Sequence, residues 1–269
     1  GAGKTEYVNR IALAIQKLII KRAASFVFGN PVIRNYRNDD DEIAKKLSEA
    51  IDQVLDDTKE DTLNRVAART TFSYTEYAEY WFPVKKSEKH EDYGFATDKK
   101  LRCVQFLPKD NNLYPVFDAT GDLIAFSREY EVTVGDIKNM YFETYTDEEI
   151  IRYKKSGLGG DWDVDDVQPL TIKKIPIIYV RQEYQETEDV DDIISRLEKM
   201  FSNLGDTNDY HSAPKIFVNG KIISFGSKGS SNTVIQGEKD AKAEYLSWDH
   251  APESWRLEAE QLIKFAFMI

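Results

Sequence analysis

The sequence has one cysteine, three histidines and no long apolar run, and each shortage excludes a class of protein. Cys103 has no second cysteine to pair with, so an intramolecular disulfide is excluded. A membrane-spanning helix needs roughly 20 consecutive apolar residues, and no stretch approaches that length. Basic residues interrupt the apolar segment 7–28, so we expect no export signal there. The neighbours of Cys103 are apolar, which favours a thiol packed within a strand over a nucleophile.

The composition is that of a folded globular protein with a negative charge. Hydrophobic residues make up 41% of the 269 residues and charged residues 31%, a balance too apolar for a disordered chain. The net charge of -11 argues against tight binding of phosphate over the whole surface, because such binding requires clustered lysine and arginine. An acidic wall is compatible with nucleic acid that slides past without being held.

Apolar residues at helical spacing predict five helices. They cover residues 7–28, 43–55, 61–68 and 190–208, and a last helix starts at Pro252. The acidic run 39–42 precedes the second helix, where carboxylates favour the positive end of the helix dipole. The last helix carries Trp255, Leu262 and Phe265, and the sequence stops inside its apolar stretch, so we expect the natural protein to continue.

Strand-like runs dominate the middle of the chain and predict a sheet meander, which makes the fold α+β. The predicted strands are residues 72–84, 101–107, 114–117, 123–134, 140–145 and 175–180. Residues 154–168 contain glycines and aspartates without periodicity, which predicts a mobile loop. Asn219 and Gly220 predict a hairpin turn within residues 215–225, and brief strands are expected at 233–236 and 244–248.

Motifs for chemistry are weak. Residues 1–5 match the end of a phosphate-binding loop, but such a loop follows a buried strand, and nothing precedes Gly1 in the sequence. His90, His211 and His250 lie in separate polar segments without metal-ligand spacing. The aspartates between 161 and 166 lack the glycine and glutamate of a calcium loop. We therefore predict no catalytic residue, no cofactor and no metal site.

The last third of the chain carries two features typical of interaction surfaces. Residues 190–204 form a narrow apolar stripe, which cannot stabilise an isolated helix, so we expect this helix to pack on a neighbour. Positive charge is concentrated between the last two predicted helices, at Lys215, Lys221, Lys228 and Lys239. These lysines either bind a partner or keep an exposed hairpin soluble.

The order of these features resembles the portal protein family of tailed bacteriophages. The likeness rests on an apolar strand with a proline near its start, residues 174–178, followed by an acidic link and the helix at 190–210. A small α/β excursion at 213–248 and a returning helix at 253–269 complete the layout. Near the start, residues 9–32 are similar to the opening helix and turn of the family, and residues 113–118 to a wing strand.

The resemblance implies a portal-like division of the chain. A mixed wing domain with short strands and helices would cover residues 1–186, a first stem helix 187–212, a small α/β clip domain 213–250 and a second, truncated stem helix 251–269. In the family the two long stem helices are antiparallel. The residues implied to pack the stem are Ile193, Leu197, Phe201, Leu204, Trp255, Leu262 and Phe265, and those implied to dock partners are the four clip lysines.

The resemblance also implies a role that is not enzymatic. In the family a ring, usually of twelve subunits, occupies one capsid vertex and lets double-stranded DNA pass without sequence specificity during packaging and ejection. The ring docks the large terminase subunit, head-completion or tail adaptor proteins, and capsid or scaffolding proteins. The implied location is the virion, with assembly in the host cytoplasm and no membrane. The tunnel loop and crown that follow the second stem helix in the family are not included in this sequence.

Two other functions remain open from the sequence alone. One is a P-loop-type nucleotide-binding protein that would use Lys4 and Thr5. The other is a monomeric carbohydrate- or protein-binding module built on aromatic residues such as Tyr77 and Trp81, although their alternation favours half-buried strand positions.

Overall fold

A computed structural model describes residues 9–36, 41–156, 160–212, 216–224, 236–237, 239–240, 242–245 and 252–268. The described residues form two compact units. The larger unit comprises Gln16–Glu188, and the smaller unit comprises the described residues up to Ile15 and from Asp189 onward. Helices and antiparallel sheets are both present, which confirms a mixed α+β fold.

Three helices open the larger unit: α1 (Ile15–Phe28), α2 (Glu42–Asp57) and α3 (Glu60–Tyr74). Asp41 caps α2 by accepting hydrogen bonds from the backbone amides of Ile43 (2.9 Å) and Ala44 (3.4 Å), which is the stabilising arrangement expected at a helix start.

Helix α3 extends to Tyr74, so the predicted strand start at residues 72–74 was wrong. The helix ends at Tyr74 because the next residue, Thr75, adopts a left-handed conformation with φ of 69°, which a β-branched residue rarely does.

Eight strands follow α3 in the larger unit. They are β1 (Glu76–His90), β2 (Thr97–Phe106), β3 (Asn111–Phe117), β4 (Leu123–Val134), β5 (Ile137–Tyr145), β6 (Glu149–Ser156), β7 (Trp162–Pro169) and β8 (Ile177–Arg181). Strands β3 to β7 form an antiparallel meander in sequence order. This confirms the meander for the predicted strands 114–117, 123–134 and 140–145, whereas the predicted first strand, 101–107, pairs with β1 in another sheet. Strand β1 lies at the centre of a second sheet, between β2 and β8.

The predicted loop at residues 154–168 was wrong, because most of it belongs to the hairpin of β6 and β7. The acidic side chains that suggested a solvated loop lie along β7. Arg152 on β6 donates from Nε to Asp165 Oδ2 at 2.7 Å, and opposite charges on neighbouring strands stabilise a sheet. Backbone pairing with β6 therefore holds β7 in place, and burial of an apolar face does not, because most β7 side chains are exposed.

Aromatic side chains form the core of the larger unit. Phe106, Phe126 and Tyr145 are almost completely buried. Phe126 and Tyr145 from the meander pack with Phe106, Ala78 and Ile177 from the three-stranded sheet. The ring centroids of Phe106 lie 6.3 Å from Phe126 and 5.9 Å from Tyr145, within the range of favourable aromatic pairs. Residues from both sheets share this core, so burial of the aromatic rings holds the two sheets together.

A 3-10 turn (Glu188–Val190) precedes the last third of the chain, in which the described residues of the smaller unit form two helices and four short strands. They are α4 (Asp191–Ser212), β9 (Ile216–Asn219), β10 (Ile222–Ser224), β11 (Gln236–Gly237), β12 (Lys242–Tyr245) and α5 (Pro252–Ala266). The predicted hairpin across Gly220 was wrong, because β9 pairs with β12 and β10 pairs with β11. Gly220 has φ of 124° and turns the chain, but each flanking strand finds its partner further along the sequence.

None of the helices in the described part of the chain is both long enough and apolar enough to cross a bilayer.

Candidate functional site

The apolar face of α4 is the centre of the smaller unit. Ile194 and Leu197 have no exposed surface, and Met200 is nearly as well buried. These residues recur every three positions along one side of the helix, as expected of a face that packs on neighbouring elements. Of the predicted stem-packing residues on this helix, Leu197 is fully buried, whereas three lie at the edge of the face and are half-buried: Ile193, Phe201 and Leu204.

Helix α5 packs against α4. Arg196 on α4 donates from Nε to Glu258 Oε1 on α5 at 2.8 Å, an ion pair on the exposed surface of the helix pair. Trp255 and Leu262 are half-buried on α5, as expected for packing residues. Phe265 is different, because half of its surface is exposed. The structure thus brings most of the predicted stem residues into one helix pair and leaves Phe265 at its surface.

An extended segment at residues 9–14, here called the strap, lies along α4. We predicted a helix from residue 7, and for residues 9–14 that prediction was wrong. Alternate backbone amides of the strap donate to α4 side chains: Asn9 to Asp206 Oδ1 at 2.8 Å, Ile11 to Ser202 Oγ at 3.0 Å and Leu13 to Glu198 Oε1 at 2.8 Å. In a helix, backbone amides donate to carbonyl oxygens of the same helix. Here they donate to side chains that lie almost 200 positions later in the sequence.

The spacing of the strap matches the spacing of the helix. Two residues of extended chain advance roughly 6.6 Å, and four residues of α-helix advance about 6 Å. Every second strap amide therefore meets every fourth α4 side chain, with the two segments running in opposite directions. Gly205 permits this approach, since a Cβ there would lie 3.3 Å from Asn9 Nδ2.

The predicted partner-docking lysines are only partly described. Lys221 and Lys239 are exposed. Lys215 and Lys228 lie outside the described residues, as do the nucleotide-loop match at residues 1–5 and His250. Within the described ranges, no group of three or more histidine, cysteine, aspartate or glutamate side chains is arranged to hold a metal ion.

A buried ion pair in the larger unit was missed by the sequence analysis. Arg128 on β4 donates from Nε to Glu143 Oε2 on β5 at 2.8 Å, and its guanidinium carbon lies 3.8 Å from the ring centroid of Phe106 and 4.0 Å from that of Tyr130. Tyr130 and Tyr145 donate their hydroxyls to Glu143 at 2.9 and 2.6 Å. The register of the meander could have revealed this ion pair, because Arg128 and Glu143 are direct cross-strand partners.

The charged state of Glu143 is stabilised by these donors. Burial opposes ionisation of this carboxyl, but the hydrogen bond from Tyr145 and the charge of Arg128 outweigh burial, so the pKa of Glu143 is lower than its ordinary value. A cavity of about 320 Å³ lies beside the cluster. Its arginines are already paired, Arg128 with Glu143 and Arg152 with Asp165. The arrangement is that of a structural connection between strands.

Cys103 lies half-buried on β2, as predicted. Burial raises the pKa of its thiol to about 12, and the nearby carboxylate of Glu79 adds to the effect. A thiol with that pKa is almost entirely protonated near neutral pH and is a poor nucleophile. Tyr77 is also buried rather than displayed on a surface, so it is not available to stack on a sugar.

The sequence was compared with known proteins. Residues 2–269 match the family described as phage portal protein, SPP1 Gp6-like. No curated protein matches the chain. The family match covers both units and confirms the resemblance drawn from the order of sequence features, and it favours neither the nucleotide-binding nor the carbohydrate-binding alternative. The chain belongs to the phage portal protein family.

Proposed function

We propose that the protein is a portal subunit whose copies, twelve in number, form a ring at one capsid vertex. DNA passes through the central channel during packaging and ejection, and the ring itself catalyses no reaction. The observation that carries the proposal is the match to the phage portal family over residues 2–269.

The proposed division of the chain is a wing at residues 1–186, a first stem helix at 187–212, a clip at 213–250 and a second stem helix at 251–269. The contact between α4 and α5 supports a two-helix stem. The short paired strands β9 and β12 lie between these helices in the sequence, which is consistent with a small clip at the end of the stem.

Uncovered apolar side chains on α5 support assembly of the stem with further copies. Leu257 and Phe265 are each at least half exposed, and clustered exposed apolar surface commonly marks an interaction site. In a ring, the helices of each subunit lie between those of two neighbours. Neighbouring subunits would cover these side chains.

The charge of the protein is consistent with DNA passage without capture. Helix α4 carries five carboxylates and two basic residues, and the whole chain has a net charge of -11. Tight binding to DNA requires many contacts between phosphates and lysine or arginine. A channel wall with few such contacts lets the duplex slide.

The proposed partners are the large terminase subunit, head-completion or tail adaptor proteins, and capsid or scaffolding proteins. Exposed lysines at the proposed clip, Lys221 and Lys239 among them, would meet an acidic surface of such a partner. The proposed location is the portal vertex of the virion, after assembly in the host cytoplasm.

The test is inactivation of the gene in the phage or prophage that carries it. The expected result is loss of nuclease-protected genomes, restored by the wild-type gene supplied in trans. A Lys221→Glu/Lys239→Glu variant is expected to form rings but to package poorly, whereas a Lys85→Glu control, exposed on β1, packages normally. Normal yields of DNA-filled particles without the gene would reject the proposal.

A further inference from the structure

Two helices of the larger unit each expose apolar side chains along one side, here called the α1 ridge and the α2 ridge. On α1, Leu18 is 48% exposed and Phe26 is 88% exposed. On α2, Ile43, Leu47 and Ile51 are 79%, 59% and 40% exposed. Residues four apart lie in one row along a helix. Ile43, Leu47 and Ile51 therefore form a continuous apolar row on α2. Leu18 and Phe26 lie in one row on α1 with Arg22 between them, and all three are exposed.

The α2 ridge differs from scattered surface apolar residues. The sequence of α2 is strongly amphipathic, and the second half of its apolar side is used in the core through Ala50 and Val54. The first half continues along the same side without a cover. Removing exposed apolar side chains from water is favourable, so an uncovered ridge is a favourable site for association.

The two helices also carry opposite charge. Helix α1 has three basic residues and no acidic residue, a net charge of +3. Helix α2 has five carboxylates and two lysines, a net charge of -3. Opposite potentials on two surfaces steer them together and disfavour pairing of either surface with itself.

Rows of residues four apart on two helices pack into each other at a crossing angle of about -50°. We infer that α1 of one copy of this chain docks across α2 of the next copy, with Leu18 and Phe26 packed against Ile43, Leu47 and Ile51. The inference rests on the proposed ring, and it names the contact between subunits.

Two different surfaces of one chain meet in this contact. Such a head-to-tail interface closes into a ring when the rotation between copies permits. Opposite charge on the two helices favours this arrangement over a symmetric dimer in which α1 meets α1 or α2 meets α2.

The first experiment introduces a carboxylate into each ridge of the purified protein. Because both side chains are exposed, Phe26→Asp and Leu47→Asp leave the fold of each copy intact, as circular dichroism would verify. Each substitution is expected to raise the dissociation constant between subunits by at least about 30-fold, the effect of losing a central interface residue. Val134→Asp is the matched control, since Val134 is 66% exposed on β4, and it is expected to assemble as the wild type does.

The second experiment mixes the two variants. The Phe26→Asp protein keeps an intact α2 ridge, and the Leu47→Asp protein keeps an intact α1 ridge, so one good contact can form between them. Native mass spectrometry with one variant isotopically labelled is expected to show mixed dimers and no larger species. Each variant alone is expected to remain monomeric.

The outcomes separate the two proposals. If the wild type forms rings and both ridge variants form them equally well, or if the mixture gives no mixed dimer, the α1–α2 contact is wrong while the ring stands. If the wild type remains monomeric at concentrations well above those of a virion assembly reaction, the proposed ring is wrong and the contact falls with it.

Discussion

Replacing Glu143 by leucine removes the partner of a buried cation. The guanidinium of Arg128 is 17% exposed and the Glu143 side chain 9% exposed, and Arg128 would keep only the carboxamide of Asn111, at 3.1 Å, and the faces of two aromatic rings. Removal of one member of a buried ion pair costs about 3–5 kcal/mol. The buried hydroxyl of Tyr145 also loses its acceptor. We expect the Glu143→Leu protein to lose stability in that range.

The double variant Arg128→Met/Glu143→Leu tests the cause of this loss. Apolar side chains of similar volume often replace a buried ion pair at little net cost. We therefore expect the double variant to be more stable than the Glu143→Leu variant, with a coupling energy above about 2 kcal/mol. The assay is urea unfolding followed by tryptophan fluorescence and circular dichroism for the wild type, both single variants and the double variant.

Additive effects of the two substitutions would refute this reasoning. In that case the loss would come from packing volume at each position, and the charge of Arg128 would not depend on Glu143. A Glu143→Leu protein as stable as the wild type would refute it more directly.

The pKa of Glu143 is lower in the folded protein than its ordinary value of 4.5. Its contribution to the free energy of unfolding is therefore present above about pH 4.5 and is lost as the pH falls through the pKa of the folded state. The urea midpoint of the wild type should fall more steeply with acid than that of the Arg128→Met/Glu143→Leu protein, and parallel curves would contradict this. Substitution Asp206→Ala removes the acceptor of the Asn9 amide and costs about 1 kcal/mol locally, so hydrogen exchange at Asn9 should accelerate several-fold, while Asp206→Asn should leave it near the wild-type rate. Leu197→Ala creates a cavity at a fully buried position and should cost about 2–5 kcal/mol, whereas Phe265→Ala should cost far less in the monomer; equal losses in thermal melts would show that the two sites are equally packed.

The sequence predicted the elements whose periodicity is strong. Apolar spacing alone predicted helices α2, α4 and α5 and strand β4. Each of these elements has a continuous apolar face, part of which is buried in its own unit. The meander was predictable because consecutive antiparallel strands need only short turns between them. Local pattern is sufficient where the stabilising partner is a neighbour in the sequence.

The missed elements are held by polar contacts and not by a continuous apolar face. Ile11 lies four residues before Ile15, which fits helical spacing, but the amides of Ile11 and Leu13 donate to side chains of α4. Strand β7 was interpreted as a loop because its aspartates hide the role of β6 in pairing. The partner of residues 9–14 cannot be identified from a local window, because it lies almost 200 positions later in the sequence. The partner of β7 is its neighbour in the sequence, so in that case the polar composition of the strand, and not distance, prevented the prediction.

The candidate site was predictable in outline and not in detail. The order of elements indicated the portal family, and the family match confirms it. The most buried residues of α4 are Ile194, Leu197 and Met200. The predicted residues Ile193, Phe201 and Leu204 lie on the same side of the helix, beside Leu197, but they are only half-buried.

The most direct test of the portal assignment is cryo-electron microscopy of the purified, assembled protein. The account predicts a closed ring with a central opening wide enough for a DNA duplex, with α4 and α5 of every subunit surrounding that opening. A monomer, a closed dimer, or a ring in which these two helices lie on the outer surface away from the opening would contradict it.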